Sequence, residues 1–241
     1  MDSGWMIGTA ILIMGLVAVC VIQWVQNRKL KEKNREMEEQ LRETDMSIML
    51  SQIQPHFLYN SLSAIRELCL EDPEEAPRAL EEFSAFLRGN MDSLRSKVPV
   101  PFSRELEHVK HYLHLEQIRF GNDLHVEYDI REEDFFLPTL TIQPIVENAV
   151  KYGVGNKEEG GTVRISTCRE GEKIVITVED DGIGFDVDEI EHIPVQKDGR
   201  THIGLSNVKH RLKKMVNGTM TIHSRRETGT IVRITLDAEH R

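Results

Sequence analysis

Gln54-Pro55-His56-Phe57-Leu58-Tyr59-Asn60 is the stretch on which the reading of this chain turns. It lies inside a run, Met46 to Leu70, whose composition is otherwise strongly helical, so it places a histidine on a helix directly after a proline. Proline removes one helical N–H and is expected to bend or loosen the helix beside the histidine. Residues four apart share a helix face, which puts Gln52 and Asn60 on either side of His56. Either amide oxygen can accept from Nδ1–H, fix the tautomer and leave Nε2 free as a nucleophile. With a reference pKa of ~6.5, the ring is available in its neutral form near pH 7. Alone, such a histidine reads as an ordinary residue at a bundle surface.

Three further motifs follow in order. Glu147-Asn148-Ala149-Val150-Lys151-Tyr152 reads as part of a helix, Leu140 to Tyr152. Asn148 and Lys151 are three apart and share a face. A neutral amide oxygen suits Mg²⁺ that takes its other ligands from phosphates and water, and lysine supplies a point charge for phosphate. Asp180-Asp181-Gly182-Ile183-Gly184 directly follows a strand, Lys173 to Glu179. Glycines there let the backbone approach a flat base, and Asp180 can accept from an exocyclic amine. Gly204-Leu205 opens a helix after a loop, where N–H groups can face an anion. Each motif alone also reads as a turn, a helix start or a solvated face.

Taken together, the four motifs resemble the sensor histidine kinases, in their LytS-like branch, from about Ile48 to the C-terminus. Gln54 to Asn60 matches that branch's phospho-acceptor motif. Asn148 matches the N box, Asp180 to Gly184 the first glycine box and Gly204 the second, and Gly229-Thr230 resembles the closing phosphate-side Gly-Thr. The resemblance implies an ATP-binding sandwich of the kind shared with gyrase and Hsp90 (the GHKL fold). It implies His56 as phospho-acceptor, with Asn60 and Gln52 assisting. The implied ATP-binding residues are Asn148, Lys151, Tyr152, Asp180, Gly182, Gly184, Gly204, Leu205 and Thr230, with Asn148 on Mg²⁺. It also implies a dimeric four-helix bundle and a response regulator as phosphoryl acceptor. Two positions depart from the family pattern. His202 stands where the second glycine box often has its first glycine, and Tyr152-Gly153 where the LytS-like N box often has His-Gly.

Two other readings compete. A degenerate kinase-like module would dimerise or dock without turnover, and only His202 favours it. An ATPase of the chaperone or gyrase type needs an acid four residues before Asn148, and that residue is Pro144. His108, His111 and His114 share a helix, but no carboxylate or cysteine pattern makes them a metal site.

The expected architecture is a membrane-anchored multidomain chain. Trp5 to Val25 is 21 residues without a charge, long enough for a single transmembrane helix, with tryptophans near both ends. A signal peptide would want a basic start and a cleavage site, and neither is present. The basic cluster Arg28 to Lys33 puts the C-terminal bulk in the cytoplasm and about four residues outside a cell membrane crossed once. Residues 1–26 therefore form the membrane segment and 27–50 a signalling helix with a weak heptad seam. Residues 51–120 form a helical phospho-acceptor and dimerisation domain, and 121–241 an α+β ATP-binding domain. Within 51–120, Leu80, Phe83, Leu87, Met91 and Leu94 are spaced to bury one face of a helix, and Ser103 is placed to cap the next. A net charge of −10 argues against a nucleic-acid surface. The three cysteines have no metal-ligand spacing and read as reduced.

Overall fold

The computed structural model describes residues 24, 28, 31, 55–96, 98–186 and 200–238. The chain divides into two units, Met1–Gln54 and Pro55–Arg241. In the first, Trp24, Arg28 and Lys31 are helical, with the Arg28 guanidinium 4.9 Å from the Trp24 ring centre. The expected membrane span apart from Trp24, the heptad seam, Gln52 and most of the loop before Gly204 lie outside the described residues. Among those described, no helix is long and apolar enough to cross a membrane.

The second unit begins with three helices. Helix α1 is described over Pro55–Glu71. It buries Phe57, Ser61 and Ile65, one residue per turn. The turn at Asp72–Glu75 leads into α2, Ala76–Arg95. The expected apolar face of α2 is rotated. Ala79, Phe83, Phe86 and Asn90 are buried, while Leu80 is 52% and Met91 36% exposed. Aromatic packing selects this face: Phe86 lies 4.9 Å from Phe57 and 5.2 Å from His108, ring centre to ring centre. Helix α3, Phe102–Phe120, does not use Ser103 as its cap. Strand β1, Val100–Pro101, pairs antiparallel with β3, Phe136–Leu137, and delivers the chain into the helix one residue early. Phe102, fully buried, stacks on Phe135 at 4.6 Å and fixes that start.

A five-stranded sheet follows: β2 Leu124–Ile130, β4 Gly161–Glu170, β5 Lys173–Asp180, β6 Thr219–Arg225 and β7 Gly229–Asp237. The order is β2-β4-β5-β7-β6, with β2 parallel to β4 and the other pairs antiparallel. Alternation puts Val163, Ile165, Val232, Ile234 and Leu236 in the core. Helix α5, Arg200–Val216, buries Val208, Leu212 and Val216, spaced one turn apart. Two helical layers thus meet in one unit: α1 and α2 against α3, and α3 in turn against the elements of the sandwich.

The expected helix over Leu140–Tyr152 is shorter and changes pitch. Leu140 has φ +54, outside helical geometry. Regular α-helix, α4, covers only Gln143–Asn148, and Ala149–Gly153 continues as a π-helical turn. A wider turn of this kind commonly marks a functional site.

Candidate nucleotide site

Asp180 ends β5, opposite Thr230 of β7 in the ladder. Its side chain is 5% exposed, and Oδ1 accepts from Gly182 N–H at 3.1 Å. The backbone N–H of Thr230 also favours its charged form. Burial outweighs both and raises its pKa to about 6, with Asp181 and Glu179 adding repulsion.

Glycines wall this carboxylate. A Cβ on Gly153 would overlap the Asp180 carboxylate, one on Gly182 the backbone of Gly153, and one on Gly229 the Asp180 carbonyl. Gly184, at φ +57, lies against the Arg225 carbonyl. Ile183 N–H reaches the Gly153 carbonyl at 3.4 Å, and Phe185 N–H donates to Ser224 Oγ at 3.0 Å. Ser224 Oγ lies 2.9 Å from Thr230 Oγ1, which ties the loop to β6 and β7. The close approaches explain why side chains are excluded here.

The π-helical turn brings the N-box residues to the same place. Asn148 ends α4 half-buried, Lys151 is exposed with its ammonium 4.7 Å from the Tyr152 ring centre, and Gly153 touches the Asp180 loop. Asn148, Lys151, Tyr152, Asp180, Gly182, Gly184 and Thr230 therefore gather around the ends of β5, β7 and α4. Gly204 and Leu205 do not open a helix as expected: α5 already runs from Arg200, so both lie within it, and α5 packs against α4. The donor set fits a purine nucleotide: a buried acceptor at the floor, flat glycine walls, and an amide and an ammonium beside it.

His56 is exposed on a separate element, α1. It meets Asn60 as the spacing predicts, but with the amide reversed. Asn60 Nδ2 lies 3.1 Å from His56 Nδ1, an arrangement in which Nδ1 accepts. Turning the amide over places Oδ1 there and restores the expected Nδ1–H donor. The next residue, Phe57, is buried 5.1 Å from the Tyr112 ring centre.

Several buried polar groups that no sequence motif marks lie behind this site. Glu105 of α3 is 3% exposed and accepts from the backbone of Leu140, Thr141 and Ile142. Arg211 of α5 donates to the Leu140 carbonyl at 2.6 Å. Gln143 donates to Glu147 at 2.7 Å and to Asn90 at 3.3 Å, and His108 lies 3.4 Å from the same Asn90 oxygen. Burial lowers the His108 pKa to about 4, so this histidine is neutral in the fold. His111 pairs with Glu82 and His114 with Glu75. Among the described residues no group of side chains forms a metal cluster. Only Gly153, beside the N box, carried a local signal of its importance.

Two family models match the chain: "Histidine kinase" over residues 44–124 and "Histidine kinase-, DNA gyrase B-, and HSP90-like ATPase" over residues 136–240. The uncharacterized protein YwpD of Bacillus subtilis is 38% identical over 190 residues, 78% of this chain and 68% of YwpD. Sensor histidine kinase YpdA of Escherichia coli is 34% identical over 215 residues, 89% of this chain and 38% of that protein. Sensor protein LytS of Enterococcus faecalis is 35% identical over 147 residues, 60% of this chain and 25% of that protein. The chain thus spans well under half the length of the two named sensors.

Proposed function

This chain belongs to the histidine kinases, in the LytS-like branch, and from that premise we propose that it phosphorylates its own His56 from Mg-ATP and passes the group to an aspartate of a response regulator. The observation that supports this most is the glycine-walled, buried carboxylate of Asp180 lying against the N-box turn, on a chain that also exposes His56.

In this reading Asp180 accepts from the adenine amine, and Gly182 and Gly184 let the base lie close to the backbone. Lys151, Gly204, Leu205 and Thr230 face the phosphates, and Tyr152 borders the site. Asn148 would hold Mg²⁺, which supplies charge neutralisation between the phosphates. The protein's own part is positioning. His56 Nε2 attacks the γ-phosphorus, the bond to the β-phosphate oxygen breaks, ADP leaves, and the ring sheds the Nδ1 proton. Asn60, with its oxygen turned toward Nδ1, holds the tautomer that this attack needs, and Gln52 shares the face. No acid follows His56, where Phe57 is buried instead.

The proposed organisation is the expected one: a membrane segment over 1–26, a signalling helix over 27–50, the acceptor and dimerisation domain over 51–120 and the ATP domain over 121–241. Exposed Leu62, Leu80 and Met91 on α1 and α2 support pairing with a second copy into a four-helix bundle. The chain is then a single-pass protein of the cell membrane, its catalytic part cytoplasmic. Incubation with γ-labelled ATP and Mg²⁺ tests the proposal. Acid-labile, alkali-stable label on the chain is expected. Nucleotide binding without any label would instead favour the degenerate docking module.

A further inference from the structure

The start of α4 is held by two side chains that come from other helices. Helix N-termini leave backbone N–H groups without intrahelical partners. At α4 no local side chain caps them. Glu105 of α3 instead holds the turn just ahead of the helix: Oε1 accepts from Leu140 N–H at 2.7 Å, and Oε2 from Thr141 at 3.0 Å and from Ile142, the residue that precedes the helix, at 3.4 Å. Hydrogen bonds to a carboxylate are among the stronger ones in proteins, and this one is almost wholly removed from water. The same turn is gripped from the opposite side. Arg211 Nη2 donates to the Leu140 carbonyl at 2.6 Å; burial raises the Glu105 pKa, and the three backbone N–H groups and then the Arg211 charge work against that rise.

Leu140 itself adopts φ +54, a left-handed conformation that a leucine takes only when its surroundings enforce it. The clamp supplies that enforcement. The turn leads directly into Gln143–Asn148, so its position sets where the Asn148 side chain stands. Arg211 lies on α5, seven residues and so about two turns after Gly204 on the same helix. Glu105 lies on α3, whose Tyr112 packs on Phe57 beside His56.

We infer that Glu105 and Arg211 are positioning residues: they hold the Leu140–Ile142 turn so that Asn148 is aimed at the nucleotide's metal, and they register α5 against α3 through that turn. The inference rests on the reading of Asn148 as the Mg²⁺ ligand. A purely structural role predicts something different, namely that loss of the clamp weakens all nucleotide binding together.

Titrating the full chain with ATP, once with Mg²⁺ and once with EDTA, separates the two. Asp180 and the glycine walls hold the base in both conditions, whereas Asn148 acts only in the first. Glu105→Gln keeps the shape but turns an N–H toward the backbone donors. It should weaken Mg-ATP binding several-fold, as expected when a hydrogen bond to a buried carboxylate is lost, and leave metal-free affinity within about twofold. Arg211→Lys, at a partly exposed position that tolerates the change, should show the same selective loss in smaller measure. The Arg211 variant also carries the test should Glu105→Gln fail to fold. Equal losses in the two conditions, or no loss in either, overturn the inference. Wild-type chain that binds no nucleotide overturns the reading of the site itself, and this inference with it.

Discussion

Asp180 shows how one environment sets two opposite pH dependences. Its pKa in the nucleotide-free fold is raised to about 6, chiefly by burial. The fold therefore keeps a proton that the unfolded chain releases near pH ~3.9. The stability Asp180 contributes is complete below that lower value and is lost as pH rises through about 6. Acceptance from an adenine amine needs the ionised carboxylate, so affinity for ATP should be full above about pH 6 and decline below it. Calorimetric titration from pH 5 to 8 checks this. Asp180→Asn should bind more weakly at pH 8 by ~1–3 kcal/mol and lose the pH dependence. A wild-type affinity that does not change across the range contradicts the assignment. Asp180, Gly182 and Gly184 are legible in the sequence because a carboxylate and two glycines at a strand end form a local pattern. Glu105 and Arg211 are not, because their partners lie 35 and 71 positions away. Locally, Glu105 is indistinguishable from the exposed Glu107 two residues on.

Helix α1 carries its chemistry in a single turn. Asn60 contacts His56, and an amide that both donates and accepts can also orient a water. Other histidine kinases use a residue four positions after the acceptor to direct water at the phosphorylated regulator, and Asn60 is assigned that second role here. Asn60→Ala is then expected to slow dephosphorylation of a cognate regulator more than autophosphorylation. Equal loss of both together with loss of the dimer would show that Asn60 only packs, and intact phosphatase activity in a well-folded dimer removes the water role. Element by element, the strand expected over Lys173 to Glu179 agrees with β5 to within a residue, because alternation and the turn at Gly171-Glu172 before it are local signals, whereas the two-residue β1 and β3 carry no such signal. The helices were harder. Spacing alone fits Leu80-Phe83-Leu87 or Ala79-Phe83-Phe86 as the buried face of α2, and aromatic contacts with Phe57 and His108 decide between them. Ser103 and the stretch after Leu140 mislead for a related reason. Pairing of β1 with β3 sets one helix start, and a carboxylate from another helix sets the other.

At the scale of the whole molecule, the reading joins an exposed histidine on a helical layer to a carboxylate site on a sheet. The composition and the four motifs made both layers legible. The turn that ties them was not, since it exists only through tertiary contacts. The proposed membrane topology rests on charge and length alone, with the basic cluster Arg28 to Lys33 expected on the cytoplasmic side. A reporter fused after Arg241 should accordingly be active only if it works in the cytoplasm, and activity of an exclusively extracytoplasmic reporter there reverses the topology. The central claim is that ATP phosphorylates His56. It is tested most directly by incubating the full chain and its His56→Gln variant with γ-labelled ATP and Mg²⁺, with nucleotide affinity measured on the same samples. The account predicts acid-labile, alkali-stable label on the peptide containing His56, none on the variant, and equal ATP affinity in the two. Label that persists in the variant, or that maps to serine, threonine or tyrosine, contradicts it.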